Sequence, residues 1–217
     1  MATNSLITNI NSTKFLGLFI DCTLSWREHI LHLTPKLNKA YHAIRTIKLF
    51  MSQNVLRTVY FPYFHSVMSY GIIFCGNPHI TNSFKIQKRI IRIITNKGNR
   101  ASRENLFKQP QILTLPSQYI FSLLTFVAKN RDLFSSNNEI HYINTRLNYI
   151  LHLPTTNLTV VQKGVLLSAS KFYNYLPIHI KSLSKHFKQL KYKVYPFLLE
   201  HWCYNLEEFY QITSTLT

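Results

Sequence analysis

Carboxylates are scarce. Eight Asp and Glu stand against 25 Lys and Arg in 217 residues, a formal charge of +17 with histidine neutral. Asp21 and Asp132 are the only aspartates, and the glutamates are scattered except for Glu207-Glu208. Two-metal phosphoryl transfer needs carboxylates clustered round two cations about 4 Å apart. No such cluster is visible, and two aspartates leave little choice of orienter for a Ser/His/Asp site; G-x-S-x-G is absent as well.

Glycine is also sparse, with five residues. Neither G-x-G-x-x-G nor G-x-x-x-x-G-K-[ST] occurs, so no Gly-rich loop cradles a nucleotide and no small-molecule substrate is expected. So few glycines argue against an all-β fold crowded with tight turns. The three cysteines, Cys22, Cys75 and Cys203, are odd in number and far apart. They give neither a disulfide framework nor paired zinc ligands, which fits a reducing intracellular compartment, cytoplasm or nucleus. The opening M-A-T-N-S-L-I-T-N-I-N-S-T-K-F lacks the basic and apolar halves of a signal peptide. The longest apolar region, residues 55–75, is interrupted by Arg57, Pro62 and His65, so no membrane span is expected.

What is present is a core. At 46% hydrophobic and 14% aromatic the chain carries an ordinary apolar complement for a globular protein, with helix favoured. Phe15-Leu16-Gly17-Leu18-Phe19-Ile20 reads as one buried strand over residues 14–20, closed by Asp21. Ser25 and Glu28 form a capping box for a helix running through Leu33, Leu37, Tyr41 and Ile44. Pro35 either kinks that helix or, capped by Thr34, starts a second one. A second helical segment spans about 53–73, bent near Pro62, and ends at the turn C-G-N-P-H. A core helix holds Y-I-F-S-L-L-T-F-V-A-K-N, residues 135–159 read as a polar loop, and further helices cover about 160–175 and 184–203. The expected architecture is therefore mainly α: a helical bundle with a short N-terminal β element and a small C-terminal helical region. Its divisions are a loose lead-in (1–13), the strand and main helical domain (14–134), the polar linker (135–159) and the C-terminal region (160–217).

The clearest helix is T-N-S-F-K-I-Q-K-R-I-I-R-I-I-T-N-K-G-N-R. Ile86, Ile90, Ile93 and Ile94 make an apolar stripe, and Lys85, Arg89 and Arg92 a basic one at i, i+4 and i+7, with Lys88 beside it. Gly98 is suited to the left-handed stop. Lys97 and Arg100 extend the basic set past the helix end. Cations at every turn suit the backbone of a nucleic acid, contacted without regard to sequence. The plain alternative is a solvated outer face, but no acidic residue lies between Lys85 and Arg103 to neutralise it. The ten histidines, including His29 and His32 three residues apart, lack an H-E-x-x-H arrangement and read as ordinary, partly exposed side chains. The residues alone therefore describe a basic, helical nucleic-acid-binding protein with no metal or cofactor site of its own.

Several segments in order resemble the C-terminal, post-palm part of reverse transcriptases of jockey-like non-LTR retrotransposons, a class of transposable element. K-F-L-G-L-F-I-D-C-T-L-S-W-R-E-H-I is similar to that family's K-F-L-G segment. Y-F-P-Y-F-H-S-V-M-S-Y-G-I-I-F-C-G-N resembles its Y-G…G-N segment. I-Q-K-R-I-I-R-I-I-T-N-K-G-N-R-A-S-R-E-N-L-F-K-Q-P-Q-I-L-T-L is similar to its L-Q-[KN]-[RK]-x-[IL]-R segment with the L-F…I-L run beyond it. G-V-L-L-S-A-S-K-F-Y-N-Y-L-P-I-H-I-K resembles its N-x-L-P motif, and N-L-E-E-F-Y its usual close. Together they span almost everything from Lys14 to Tyr210.

The resemblance implies a thumb that grips the primer–template duplex of an RNA-directed DNA polymerase. Lys85, Lys88, Arg89 and Arg92 fall on the family's basic positions. It also implies that the Tyr-x-Asp-Asp hairpin, and the Mg2+ it holds, belong to a palm domain upstream in the same polyprotein, and that this stretch alone does not polymerise. Asp21 then leads into the thumb and is not a metal ligand. The expected partners are an RNA–DNA hybrid or other duplex and that palm. The alternative is a non-catalytic protein-interaction or structural remnant, its aromatic surfaces made to pack on the palm.

Overall fold

The apolar run at the N-terminus does not make one buried strand. In the computed structural model, which describes residues 10–98, 103–141, 150–183 and 186–215, it folds back on itself. Strands β1 (Ser12–Phe15) and β2 (Leu18–Asp21) pair antiparallel, Phe15 opposite Leu18 and Ser12 opposite Asp21. The two-residue turn Leu16-Gly17 has both φ positive, 46° and 83°, the geometry of the tight hairpin turn that matches strand twist. A two-stranded ribbon has little to bury against, so Phe15 and Leu16 stay 60% and 74% exposed.

Asp21 then ends β2 as a turn carboxylate. Its Oδ1 accepts from Thr23 N (3.1 Å), Thr23 Oγ1 (2.7 Å) and Ser25 N (2.8 Å), and its Oδ2 from Ser25 Oγ (3.0 Å). Desolvation pushes its acidity the other way, but the hydrogen bonds from Thr23 and Ser25 outweigh it and hold the carboxyl below its ordinary range. Ser25 Oγ still accepts from Arg27 N at 3.4 Å, but Asp21 takes the Ser25 N–H that Glu28 would bond and Trp26 holds the N-cap position, so the expected capping box does not form. Trp26, left-handed at φ 61°, turns the chain into helix α1 (Arg27–Ile47) and stacks on Phe74, ring centroids 6.0 Å apart.

Helix α1 is continuous. Pro35 sits on its exposed side, where the lost N–H costs least, and Leu33, Leu37, Ala40 and Ile44 line the buried stripe. The second helical segment is split. Helix α2 (Gln53–Tyr60) widens at Pro62 into a π-turn over Phe61–His65, where Ser66 N donates to Phe61 O, and resumes as α3 (Ser66–Ser69). Pro62 has no N–H to give the preceding turn, and a π-turn absorbs that gap.

The segment stops at Ser69, short of Ile73, because Gly71 is left-handed at φ +67° and packed so tightly that a Cβ there would lie 2.5 Å from Leu18 Cδ2. Helix α4 (Ile72–Thr95) starts directly after it, kinked where Gly76 adopts φ 55°, ψ −145°, a region that only glycine enters readily. That kink replaces the expected turn at C-G-N-P-H.

Helix α5 (Arg103–Lys108) leads to α6 (Leu115–Lys129), the central helix, which packs against α4 and against two C-terminal helices. Thr114 caps α6 by accepting from Ser117 N, and donates its own hydroxyl to Cys203 O at 2.6 Å; Cys203 N donates to Ser117 Oγ at 3.2 Å. One helix cap thereby ties the C-terminal segment to the core.

The stretch expected as a polar loop includes a helix, α7 (Asn137–His141), which begins with a capping box. There Ser136 N donates to Glu139 Oε2 and Glu139 N to Ser136 Oγ, and Ser136 pairs with Leu151. Residues 142–149 lie outside the described residues. Beyond them come α8 (Thr159–Gln162), α9 (Val165–Asn174), α10 (Ile178–Lys181), α11 (Phe187–Glu200) and α12 (Leu206–Thr215). The Asn174 amide clasps the Leu151 backbone by N–H and C=O, both 2.8 Å, so the linker's described part is held against α9. The molecule is mainly helical with a short N-terminal hairpin and a helical C-terminal region.

Candidate nucleic-acid interface

Helix α4 decides the site, because its two sides carry different chemistry. Ile90, Ile91 and Ile94 are fully or almost fully buried, each contributing about 1.5–3 kcal/mol by burial. Ile86 is buried with them, whereas Ile93 is only half-buried, so the apolar arc is wider than a single stripe and displaced from the expected one.

Gln87 turns inward too. Its Nε2 donates to Tyr60 Oη (3.0 Å) and Leu113 O (2.9 Å), and its Oε1 accepts from Leu115 N (2.8 Å). A fully buried amide with these partners pins α4 to α2 and to the start of α6. Nothing in the basic run singles it out. Burial pushes the Tyr60 hydroxyl well above its usual range, so it stays protonated and keeps its place in this network.

The helix ends in a Schellman motif. Asn96 takes the left-handed position at φ 52°, ψ 34°; Asn96 N donates to Ile93 O and Lys97 N to Arg92 O. Asn tolerates that conformation, so the stop comes two residues before the expected Gly98. This turn brings Lys97 back beside the helix.

The six expected contact residues divide. Arg89, Arg92 and Lys97, with Ile93 between them, line one side of an open groove of about 220 Å³. Tyr41 and Lys48, from α1 and its C-terminal end, line the other. Lys85 is exposed one turn before Arg89 and outside the groove. Lys88 turns elsewhere: its ammonium lies 4.5 Å from the Phe84 ring centre and 5.6 Å from that of Tyr204, a cation–π placement. Arg100 lies outside the described residues. Tyr41 and Lys48 are not singled out by the sequence. Their spacing of i and i+7 places them on one face of α1, but a groove between two helices shows only when both are packed.

Cations at helix C-termini also offset the helix macrodipole, which carries about −0.5 charge at that end. Two helices supply about one negative charge. Lys48, Arg89 and Arg92 alone exceed it, no lining residue is acidic, and the sequence has no carboxylate between Glu28 and Glu104. The groove therefore holds a net positive field suited to an anion.

His29 is buried, contrary to expectation, with neither ring nitrogen hydrogen-bonded, and burial first, then Lys36 and His32, lowers its basicity. His32 is exposed and stacks on Phe19, ring centroids 3.9 Å apart. Among the described residues no three His, Cys, Asp or Glu side chains come together as metal donors, and no helix is long and apolar enough to cross a membrane. No family model, no curated protein and no solved structure matches the chain.

Proposed function

We propose that this chain grips a nucleic-acid duplex by its backbone, as the post-palm thumb of a jockey-like non-LTR reverse transcriptase, with an RNA–DNA hybrid as its natural substrate. Polymerisation would then need the palm domain, with its Mg2+, from the same polyprotein. The observation that carries the reading is the meeting of Arg89, Arg92 and Lys97 with Lys48 round one groove, none of whose lining residues is acidic, with Lys85 exposed one turn up the same helix. The ordered series of segments resembling that family supports the assignment. Fixed cations of this kind contact phosphates without reading bases.

The test is a fluorescence-anisotropy titration of an RNA–DNA hybrid. Changing Lys85→Glu, Arg89→Glu and Arg92→Glu together should weaken binding roughly 100-fold, with the helical circular dichroism intact. Changing Lys188→Glu, Lys191→Glu and Lys193→Glu on α11, all exposed, alters net charge equally. That control should cost only a few-fold. Equal losses in the two variants would mean generic polycation binding and would sink the assignment.

A second reading has its own observation. Ile10, Phe15 and Leu16 are 72%, 60% and 74% exposed, and Leu24 and Leu31 are exposed at 47% and 58%. Exposed apolar side chains at and around the hairpin and near the start of α1 suit a surface that another protein covers. The palm of the same polyprotein is the partner this reading names. Phe15→Ser with Leu16→Asn should raise solubility and leave hybrid affinity unchanged. If hybrid affinity fell as well, the two surfaces would not be separate.

A further inference from the structure

We propose that the groove between α1 and α4 holds an unpaired strand, its phosphates on Lys48, Arg89 and Arg92 and its bases stacked on Tyr41 and Phe50. The inference rests on the duplex-gripping reading above for where that strand comes from, and adds which part of a primer–template the groove receives.

Shape is the first reason. The cations surround a concavity that one strand's backbone can enter, whereas the body of a duplex, a broad cylinder, stays outside it on the side that carries Lys85. Packed helices lie with axes about 8–10 Å apart, so the cleft between them takes the backbone of one strand at a time. At about 220 Å³ the groove is also smaller than the roughly 300–1,000 Å³ pockets that enclose a whole small molecule. An open cleft of that size takes one stretch of a longer polyanion.

Chemistry is the second. Tyr41 lines the groove half-buried, with His42 edge-on to its ring at 5.2 Å, and Ile93 lies across from it. Past Lys48 the chain runs directly into Leu49 and Phe50, exposed 83% and 80%. A large aromatic left this bare beside a cation is the combination that binds single strands: positive charge tracks the backbone, and ring faces take any base. The outward Lys85, one turn up α4, remains for the duplex from which the strand emerges.

Three probes test this: a blunt RNA–DNA hybrid, the same hybrid with a short single-stranded tail carrying a fluorescent adenine analogue, and the tail strand alone. The tailed hybrid should bind about ten-fold tighter than the blunt one, with the analogue quenched by stacking. Phe50→Ala, outside the groove lining, should remove most of that advantage and leave blunt-hybrid affinity unchanged; Tyr41→Leu should remove it as well, while Tyr41→Phe keeps it. Phe50 is exposed, so its variant folds even if the Tyr41 variant does not. A tail that adds nothing, or an advantage that survives Phe50→Ala and Tyr41→Leu, overturns the inference and leaves the duplex reading standing. Tyr41-dependent binding of the strand alone, without blunt-hybrid binding, keeps the inference and overturns the duplex reading. Binding of none of the three overturns both.

Discussion

Gln87 and Arg89 are two residues apart on α4 and share almost nothing in their surroundings. Gln87 faces inward, fully buried, each polar atom engaged by Tyr60, Leu113 or Leu115. Arg89 faces outward and lines an open groove with no acidic residue in its lining. Successive residues on a helix are turned about 100° apart, so two positions on are enough to reach the far side. One face of this helix is therefore committed to folding and the other is open to an anion. The comparison teaches that polarity in the sequence does not distinguish them; partnership does.

The largest effect expected from breaking that comparison is at Gln87. Gln87→Leu leaves the Leu115 N–H and the Leu113 carbonyl without their partner, and unsatisfied buried groups cost about 1–3 kcal/mol each. A loss of about 3 kcal/mol should lower Tm by roughly 10 °C in calorimetry. Hybrid affinity, measured well below that Tm, should be unchanged. Affinity that fell with stability would show that the two faces are coupled.

His29 sharpens the comparison, because it is a buried polar side chain without the partners that Gln87 has. Burial lowers the basicity of both His29 and His65, the latter despite its 3.2 Å bond to Gln118. Each group's folded pKa is below its unfolded value near 6.5, so the unfolded chain takes up protons first as pH falls. The stability they allow is complete above that value and is lost on acidification below it. Tm should therefore drop between pH 7.5 and pH 5. His29→Leu should flatten part of that drop and raise stability at pH 7.5 by about 1 kcal/mol, since two unpartnered ring nitrogens leave the core. A destabilised His29→Leu at pH 7.5 would mean that the histidine makes an interaction worth keeping.

The smallest effect is expected on the outer face. Arg89→Ala, at an exposed position, should change stability by no more than about 0.5 kcal/mol, and Arg92→Ala, at a half-buried one, by little more. A larger loss would make these arginines structural.

Much of the helical content is legible in the sequence, because apolar residues at i, i+3 and i+4 announce a buried stripe whatever packs on it. The charge of α4 is legible too, since no acid interrupts it. What stays hidden depends on partners distant in sequence. Gln87 resembles any surface glutamine until Leu113 and Leu115 are beside it. Tyr41 and Lys48 acquire a role only when α1 lies along α4.

Local conformation explains the other differences. Gly17 lies inside an apolar run and reads as a strand residue, but its positive φ folds that run into a hairpin. Gly71 ends one helix and starts the next because Leu18 leaves no room for a Cβ. Asn96 stops α4 ahead of Gly98, and Asp21 takes the Ser25 N–H that Glu28 is expected to bond. In each case a short-range signal is present, and a competing contact decides which residue uses it.

The central claim is that the α1–α4 groove, and not overall charge, holds the phosphates. The most direct measurement is the salt dependence of affinity for the tailed hybrid, for the native chain and for a variant with Lys48→Gln, Arg89→Gln and Arg92→Gln. Each phosphate contact adds about 0.9 to the slope of log affinity against log salt. The account predicts a slope shallower by about 2.7 in the variant. An unchanged slope would show that these three side chains touch no phosphate, and would contradict it.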